Sequence, residues 1–206
     1  MFVADHPLIH HKLARLRHKD TDPPRFRELV YEISQYLLYE ALRDVKTTAV
    51  RVPTPLIEYE CQQLSDRVGI VPVLRAGLGM ATAMLDVLPE ASVWHVGVAR
   101  DHETLRPKTY YRNLPGESRV DMAVVLDPML ATGGSAIETI ELLKSAGMKR
   151  IKFVGLIAAP EGVKALSEAH SDVAIYLAAV DERLNEFGYI VPGLGDAGDR
   201  QFGTIG

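Results

Sequence analysis

Asp127 closes a nearly continuous apolar run, Val120–Leu126, and a stretch of small and hydroxylic residues, Ala131-Thr132-Gly133-Gly134-Ser135, follows it. Beyond that stretch Ala136, Ile137, Ile140 and Leu143 recur at helical spacing, and Gly147 stands where a left-handed helix end is wanted. A strand, a small-residue loop and a helix leave unpaired backbone N–H groups aimed at one point, with the helix dipole behind them. Such a place suits an anion, most simply a phosphate monoester. Gly133 and Gly134 let the backbone approach closely, and Thr132 and Ser135 add hydroxyl donors. The loop lacks the Lys-Ser/Thr pair of a P-loop and does not fit GxGxxG.

A second strand–loop–helix pattern precedes it. Val68–Leu74 is apolar, Arg75-Ala76-Gly77-Leu78-Gly79 follows, and Met80, Met84 and Leu85 continue as a helix. Here backbone amides and an arginine could hold a second polyanion, such as a pyrophosphate. A third strand over Val93–Ala99 runs into Arg100, Arg106 and Lys108, basic residues on what reads as a loop of an acidic protein. A lid that closes over a multiply anionic substrate accounts for that local basicity.

Ile151–Ala158 and Val173–Val180 are two more buried strands, with a helix near Gly162–Ala169 between them. Strands alternating with helices predict an α/β fold with a doubly wound parallel sheet, whose ligands bind beyond the carboxyl ends of the strands. Asp127, Arg75 and Arg100 all fall at such ends. Upstream, Asp22-Pro23-Pro24 marks a helix start, and Phe26, Leu29, Val30, Ile33, Leu37 and Leu38 form its apolar stripe. The prolines of Thr47–Leu56 make that segment an edge strand or an arm able to pair between subunits. Residues 1–20 carry His6, His10, His11 and His18 among basic residues and read as a solvated N-terminal arm or a subunit contact. Leu184–Gly206 holds six of the sixteen glycines, yet Phe187, Tyr189, Ile190, Val191, Leu194 and Phe202 are too apolar for a loose end. A structured, non-helical cap is expected there.

The form DPMLATGGS resembles the phosphoribosyl-pyrophosphate loop of the type I phosphoribosyltransferases, and in particular their uracil branch. Most of that family close the strand with two adjacent acids, whereas Pro128 follows Asp127 here. VLRAGLGM resembles the pyrophosphate loop of the same branch, and YIVPGLGDAGDRQFGT resembles its uracil-binding hood. The resemblance covers nearly the whole chain and implies one phosphoribosyltransferase domain over 1–206. Within it would lie an N-terminal arm (1–25), a β-arm, a flexible lid (100–112) and a glycine-rich hood (184–206).

The implied reaction joins uracil to 5-phospho-α-D-ribose 1-diphosphate (PRPP), giving UMP and diphosphate. Carried over, the PRPP site comprises Arg75, Arg100, Asp127, Pro128, Met129, Leu130, Ala131, Thr132, Gly133, Gly134, Ser135 and Asp196. Ile190, Gly195, Asp196 and Ala197 would bind uracil through backbone groups. Asp127 and Arg100 would act by positioning and charge, with no nucleophile. The resemblance also implies Mg²⁺, held largely by water and the diphosphate, with no metal ligand named. It further implies a GTP effector, as in some relatives, and a homodimer or homotetramer.

Composition sets the outer bounds. A chain of 206 residues with 47% hydrophobic residues suits one domain with a full core. Its net charge of -4 argues against a general nucleic-acid partner. No apolar run reaches the roughly 18 residues of a membrane span, and charges occupy Met1–Asp20 where a signal peptide would be apolar. Cys61 is alone, so a reducing cytoplasm is the expected location. A pyrimidine-operon regulator on the same fold would keep paired acids and a basic RNA face, neither of which is visible. A purine or orotate enzyme would lack the glycine-rich hood.

Overall fold

The computed structural model describes residues 1–100, 107–114 and 120–204. The chain opens with β1 (Phe2–Val3), α1 (Pro7–Arg17) and α2 (Pro23–Ala41), then a hairpin of β2 (Thr47–Pro53) and β3 (Glu58–Leu64). Next come β4 (Val68–Leu74), α3 (Leu78–Val87), β5 (Ser92–Val93), β6 (Val96–Arg100) and β7 (Pro107–Arg112). The second half holds β8 (Met122–Leu126), β9 (Met129–Leu130), α4 (Gly134–Ser145), β10 (Ile151–Ala158) and α5 (Pro160–Ala169). It ends with β11 (Ala174–Val180), β12 (Arg183–Leu184), β13 (Ile190–Val191) and α6 (Ala197–Phe202).

Every residue of β8 and β10 is buried, as the unbroken apolar runs require of strands covered on both faces. Among the described residues the main sheet has the order β1-β11-β10-β8-β4-β6-β7, with β5 beside β4 and β9 beside β10. Its pairs are parallel except for β7, which runs antiparallel to β6. From β4 the chain crosses through α3 to β6 on one side, and later returns to β8 on the other. The switch point therefore lies between the carboxyl ends of β4 and β8, where such sheets open a crevice.

Helices α1, α2 and α3 cover one face. Asp22 caps α2 by accepting from the Arg25 N–H (2.8 Å), and the whole stripe from Phe26 to Leu38 is buried. Each such side chain contributes on the order of 1.5–3 kcal/mol by leaving water. Helices α4 and α5 cover the other face, with Ile140, Leu143 and Leu166 packed in one cluster with Phe153.

Two expectations are corrected and two gain detail. The N-terminal arm (1–25) is not a solvated arm: β1 extends the sheet beside β11, and α1 buries Ile9, Leu13 and Leu16. The strand foreseen over Val93–Ala99 is two pieces, β5 and β6, that pair with different parts of β4. The arm strand at Thr47 has a partner, β3, which was not foreseen because EYECQQL is largely exposed and lacks a buried face. Finally, β7 gives the C-terminal half of the lid segment (100–112) strand structure, while residues 101–106 lie outside the described residues. Among the described residues no helix is long and apolar enough to cross a membrane.

Candidate functional site

A cavity of about 610 Å³ opens at the switch point, and Arg75, Asp127, Ser135, Tyr189, Ile190 and Asp196 are among the residues that line it. Three separately read motifs thus meet at one rim. Met129 and Ala131 line it too, while Pro128, Leu130 and Gly133 are buried beneath the loop. The Pro128 carbonyl accepts from the N–H groups of Leu156 and Ile157 (both 3.0 Å), which ties the loop to β10.

Gly133 adopts a left-handed conformation (φ 84°) and starts α4 without a side-chain cap. The Ile137 N–H closes the first helical turn onto the Gly133 carbonyl (2.9 Å), so the amides of residues 134–136 precede the helix's own bonding. Only a 3.4 Å contact from the Gly134 N–H to Thr132 Oγ1 engages one of them among the described hydrogen bonds. A helix start whose first amides precede the helix's own bonding can hold an anion. Helix α5 presses on this cradle from behind: a Cβ on Gly162 would lie 2.3 Å from the Ala131 carbonyl oxygen and 2.6 Å from that of Leu130.

Arg75 follows β4 across a cis Leu74–Arg75 peptide. A Cβ on Gly77 would lie 2.3 Å from the Leu126 carbonyl oxygen, so the ends of β4 and β8 touch backbone to backbone. The Arg75 guanidinium donates to Asp199 Oδ1 (3.0 Å) and Thr204 Oγ1 (3.4 Å). The Thr204 hydroxyl and then Arg75 hold the Asp199 carboxyl below its ordinary range. Arg100 ends β6 opposite Pro107, and its guanidinium lies outside the described residues.

The hood is built on the β12–β13 pair, in which Leu184 faces Ile190. Gly193 (φ 64°) and Gly195 (φ 77°) then turn the chain through left-handed conformations. At Gly193 a Cβ would sit 2.0 Å from the Ile190 carbonyl oxygen, so only glycine leaves that carbonyl in place. The expectation of a non-helical cap is corrected by α6. Asp196 caps this short helix by accepting from the Asp199 N–H (2.9 Å), and Gly203 (φ 67°) ends it. Ala197 is fully buried as its first residue, whereas Gly195 and Asp196 are exposed.

Burial pushes the Asp127 carboxyl up to about 7, and the negative charge of Asp196 adds to the rise, against a hydrogen bond from the Met129 N–H (3.3 Å). Asp196, on the hood, thus lies close enough for its charge to bear on the strand-end acid. Among the described residues no group of three or more His, Cys, Asp or Glu is placed to hold a metal ion. Among the described residues the carboxylates lining the cavity are Asp127 and Asp196, which fits a hard cation held mainly by its ligand and by water.

Residues that sequence reasoning missed are Gly162, whose signal was only a glycine near a helix start, and Asp199, hidden inside the motif GDAGDR. Phe187 and Tyr189, read only as apolar, line the cavity while 69% and 49% exposed.

A family profile described as uracil phosphoribosyltransferase matches residues 3–204. A uracil phosphoribosyltransferase of Roseiflexus castenholzii is 59% identical over 99% of this chain and 98% of its own length. One from Symbiobacterium thermophilum is 55% identical, over 98% of this chain and 97% of its own. Among solved structures, the AQ2163 protein from Aquifex aeolicus superposes with a TM-score of 0.92 at 40% identity, covering 97% of this chain and 96% of that one. A purine phosphoribosyltransferase from Pyrococcus horikoshii shares the fold at a TM-score of 0.52 and 21% identity, over 75% of this chain and 84% of its own.

Proposed function

This chain belongs to the uracil phosphoribosyltransferase family, and from that premise we infer how its rim cavity carries out the family's reaction. The enzyme transfers the 5-phosphoribosyl group of PRPP to uracil, giving UMP and diphosphate. We assign the 5-phosphate to the cradle of residues 131–135, with the loop residues Pro128, Met129 and Leu130 shaping its floor. Arg75 and Arg100 take the diphosphate, and Asp127 and Asp196 flank the ribose between the two anions. Uracil lies under the hood against Ile190, Gly195, Asp196 and Ala197. The observation that carries this reading is that the cradle, Arg75 and the hood line one cavity.

The bond from ribose C1 to the diphosphate breaks with its electron pair leaving on the diphosphate, and uracil N1 forms the new bond as its proton passes to water. Positive charge grows on the ribose in between, and a fixed carboxylate beside it lowers that barrier without becoming covalently attached. Magnesium, when bound, would neutralise diphosphate charge, with Asp127 and Asp196 as the carboxylates able to reach it through water. Exposure along the β2–β3 arm, including Leu56 at its tip, supports a homodimer or homotetramer. A GTP effector rests on the resemblance alone.

The test is the pH profile. With its carboxyl near 7 in the free enzyme, Asp127 is neutral below that pH and ionised above it. Only the ionised form answers the charge on the ribose. The kcat/KM for PRPP should therefore rise through about pH 7 and level off above it, since this parameter reports the free enzyme. Asp127→Asn should lower the plateau and remove the limb. The linkage runs the other way for stability, because the folded state holds this proton more tightly than the unfolded one. That contribution is complete below about pH 4 and is lost as the pH rises through about 7. A limb near pH 7 that survived in Asp127→Asn would take the titrating group away from Asp127.

A further inference from the structure

The first helix and the last loop of the chain are joined by a set of buried charged contacts that the reaction itself does not use. Arg17, at the end of α1, donates through Nη1 to Asp181 Oδ2 and to the Gly193 carbonyl (both 2.7 Å), and through Nη2 to Asp181 Oδ1 (2.5 Å). The Gly193 N–H donates to the same Asp181 Oδ2 (2.9 Å). One carboxylate and one guanidinium thus hold both the N–H and the C=O of a single glycine. The Asp181 side chain is 4% exposed and that of Arg17 24%, so these charge-assisted bonds are partly shielded from water. Arg200 repeats the pattern one turn further on. It donates to the carbonyls of Leu16 (2.9 Å), His18 (2.6 Å) and Leu194 (2.8 Å), with its guanidinium 4.4 Å from the Phe26 ring centre.

Gly193 and Leu194 sit inside the segment Ile190–Ala197, to which the uracil edge is assigned above. Two glycines at positive φ give that segment more backbone freedom than any other residue type would. What removes the freedom is the fork from α1. Neither Arg17 nor Arg200 lines the cavity. The phosphate cradle rests on other elements, namely β8, α4 and the close approach of α5.

We propose that Arg17, acting with Asp181, is a positioning residue for base recognition, and that helix α1 sets the conformation of the hood. This rests on the assignment of uracil to Ile190–Ala197. The phosphate cradle, held by β8, α4 and α5, does not depend on it.

The experiment compares the wild type with Arg17→Ala, Arg17→Lys and Asp181→Asn, measuring KM for uracil at saturating PRPP and, separately, Kd for PRPP with magnesium by calorimetry. Arg17→Ala should raise the uracil KM on the order of tenfold or more, the size of one lost charge-assisted bond. Its PRPP Kd should rise by much less than the uracil KM, since the phosphate cradle and Arg75 are untouched and of the PRPP contacts only Asp196 lies in the segment that Arg17 holds. Arg17→Lys, which keeps the charge but loses the fork, should recover part of the loss. Asp181→Asn keeps the shape and carries the same test should Arg17→Ala fail to fold. An unchanged uracil KM in a folded Arg17→Ala or Asp181→Asn protein overturns the proposal, as does an equal loss of uracil and PRPP binding. A wild type that ignores uracil altogether would instead overturn the assignment of the hood.

Discussion

Cytosine is expected to be used less efficiently than uracil by a factor on the order of 10⁴–10⁵, the range reached by sites built to hydrogen-bond one pattern. Uracil presents acceptor, donor and acceptor across O4, N3–H and O2, whereas cytosine carries an amino donor at position 4 and an acceptor at N3. A side-chain amide could turn over to meet either base. Backbone groups in the hood cannot. The Ile190 carbonyl is held where a Cβ on Gly193 would strike it, and Gly193 itself is held at its C=O by Arg17 and at its N–H by Asp181. Cytosine would leave desolvated donors facing donors and acceptors facing acceptors, a mismatch far costlier than an unmade bond in water. A fluorine at C5 leaves the paired edge alone, so 5-fluorouracil should be accepted. Competition kinetics check both points, and cytosine turned over within tenfold of uracil would refute backbone readout.

The second large effect concerns a residue that touches no substrate. Gly162→Ala should weaken PRPP binding by at least tenfold, about 1.4 kcal/mol. The added Cβ would sit 2.3 Å and 2.6 Å from two carbonyl oxygens of the phosphate loop, and because both are backbone atoms the loop or α5 has to move. Overpacking of this kind also costs about 1–3 kcal/mol of stability. Gly147→Ala separates the two effects. Its φ of 88° makes a side chain strained, but nothing lies within 4 Å of the new Cβ. It should lower the melting temperature and leave PRPP affinity as it was. Calorimetric titration with PRPP and magnesium, beside thermal unfolding of each variant, reads both quantities. Wild-type affinity in a folded Gly162→Ala protein would show that α5 does not set the cradle.

Legibility in the sequence followed covering. Strands β8 and β10 were readable because both faces are buried and their apolar runs are unbroken; α2 was readable because its stripe is whole and Asp22-Pro23 marks its start. The phosphate loop was readable because close backbone approach demands small residues in a row. Helix α1 was not, since its three buried residues are spaced among His10, His11 and Arg15, which remain in water. Helix α6 was hidden because its six residues include a glycine and follow two more, so its cap and its left-handed end define it rather than any periodicity. The resemblance put Asp127 and Asp196 in one site, but the influence of Asp196 on the Asp127 carboxyl lay beyond local reading, because only the folded chain brings the two near each other.

The most direct test of the account is transfer itself. Purified protein with PRPP, magnesium and labelled uracil, run beside labelled hypoxanthine and orotate, should form UMP with one diphosphate released per uracil consumed. Neither of the other bases should yield a nucleotide at a comparable rate. Consumption of hypoxanthine or orotate with uracil left untouched would contradict the assignment of this cavity.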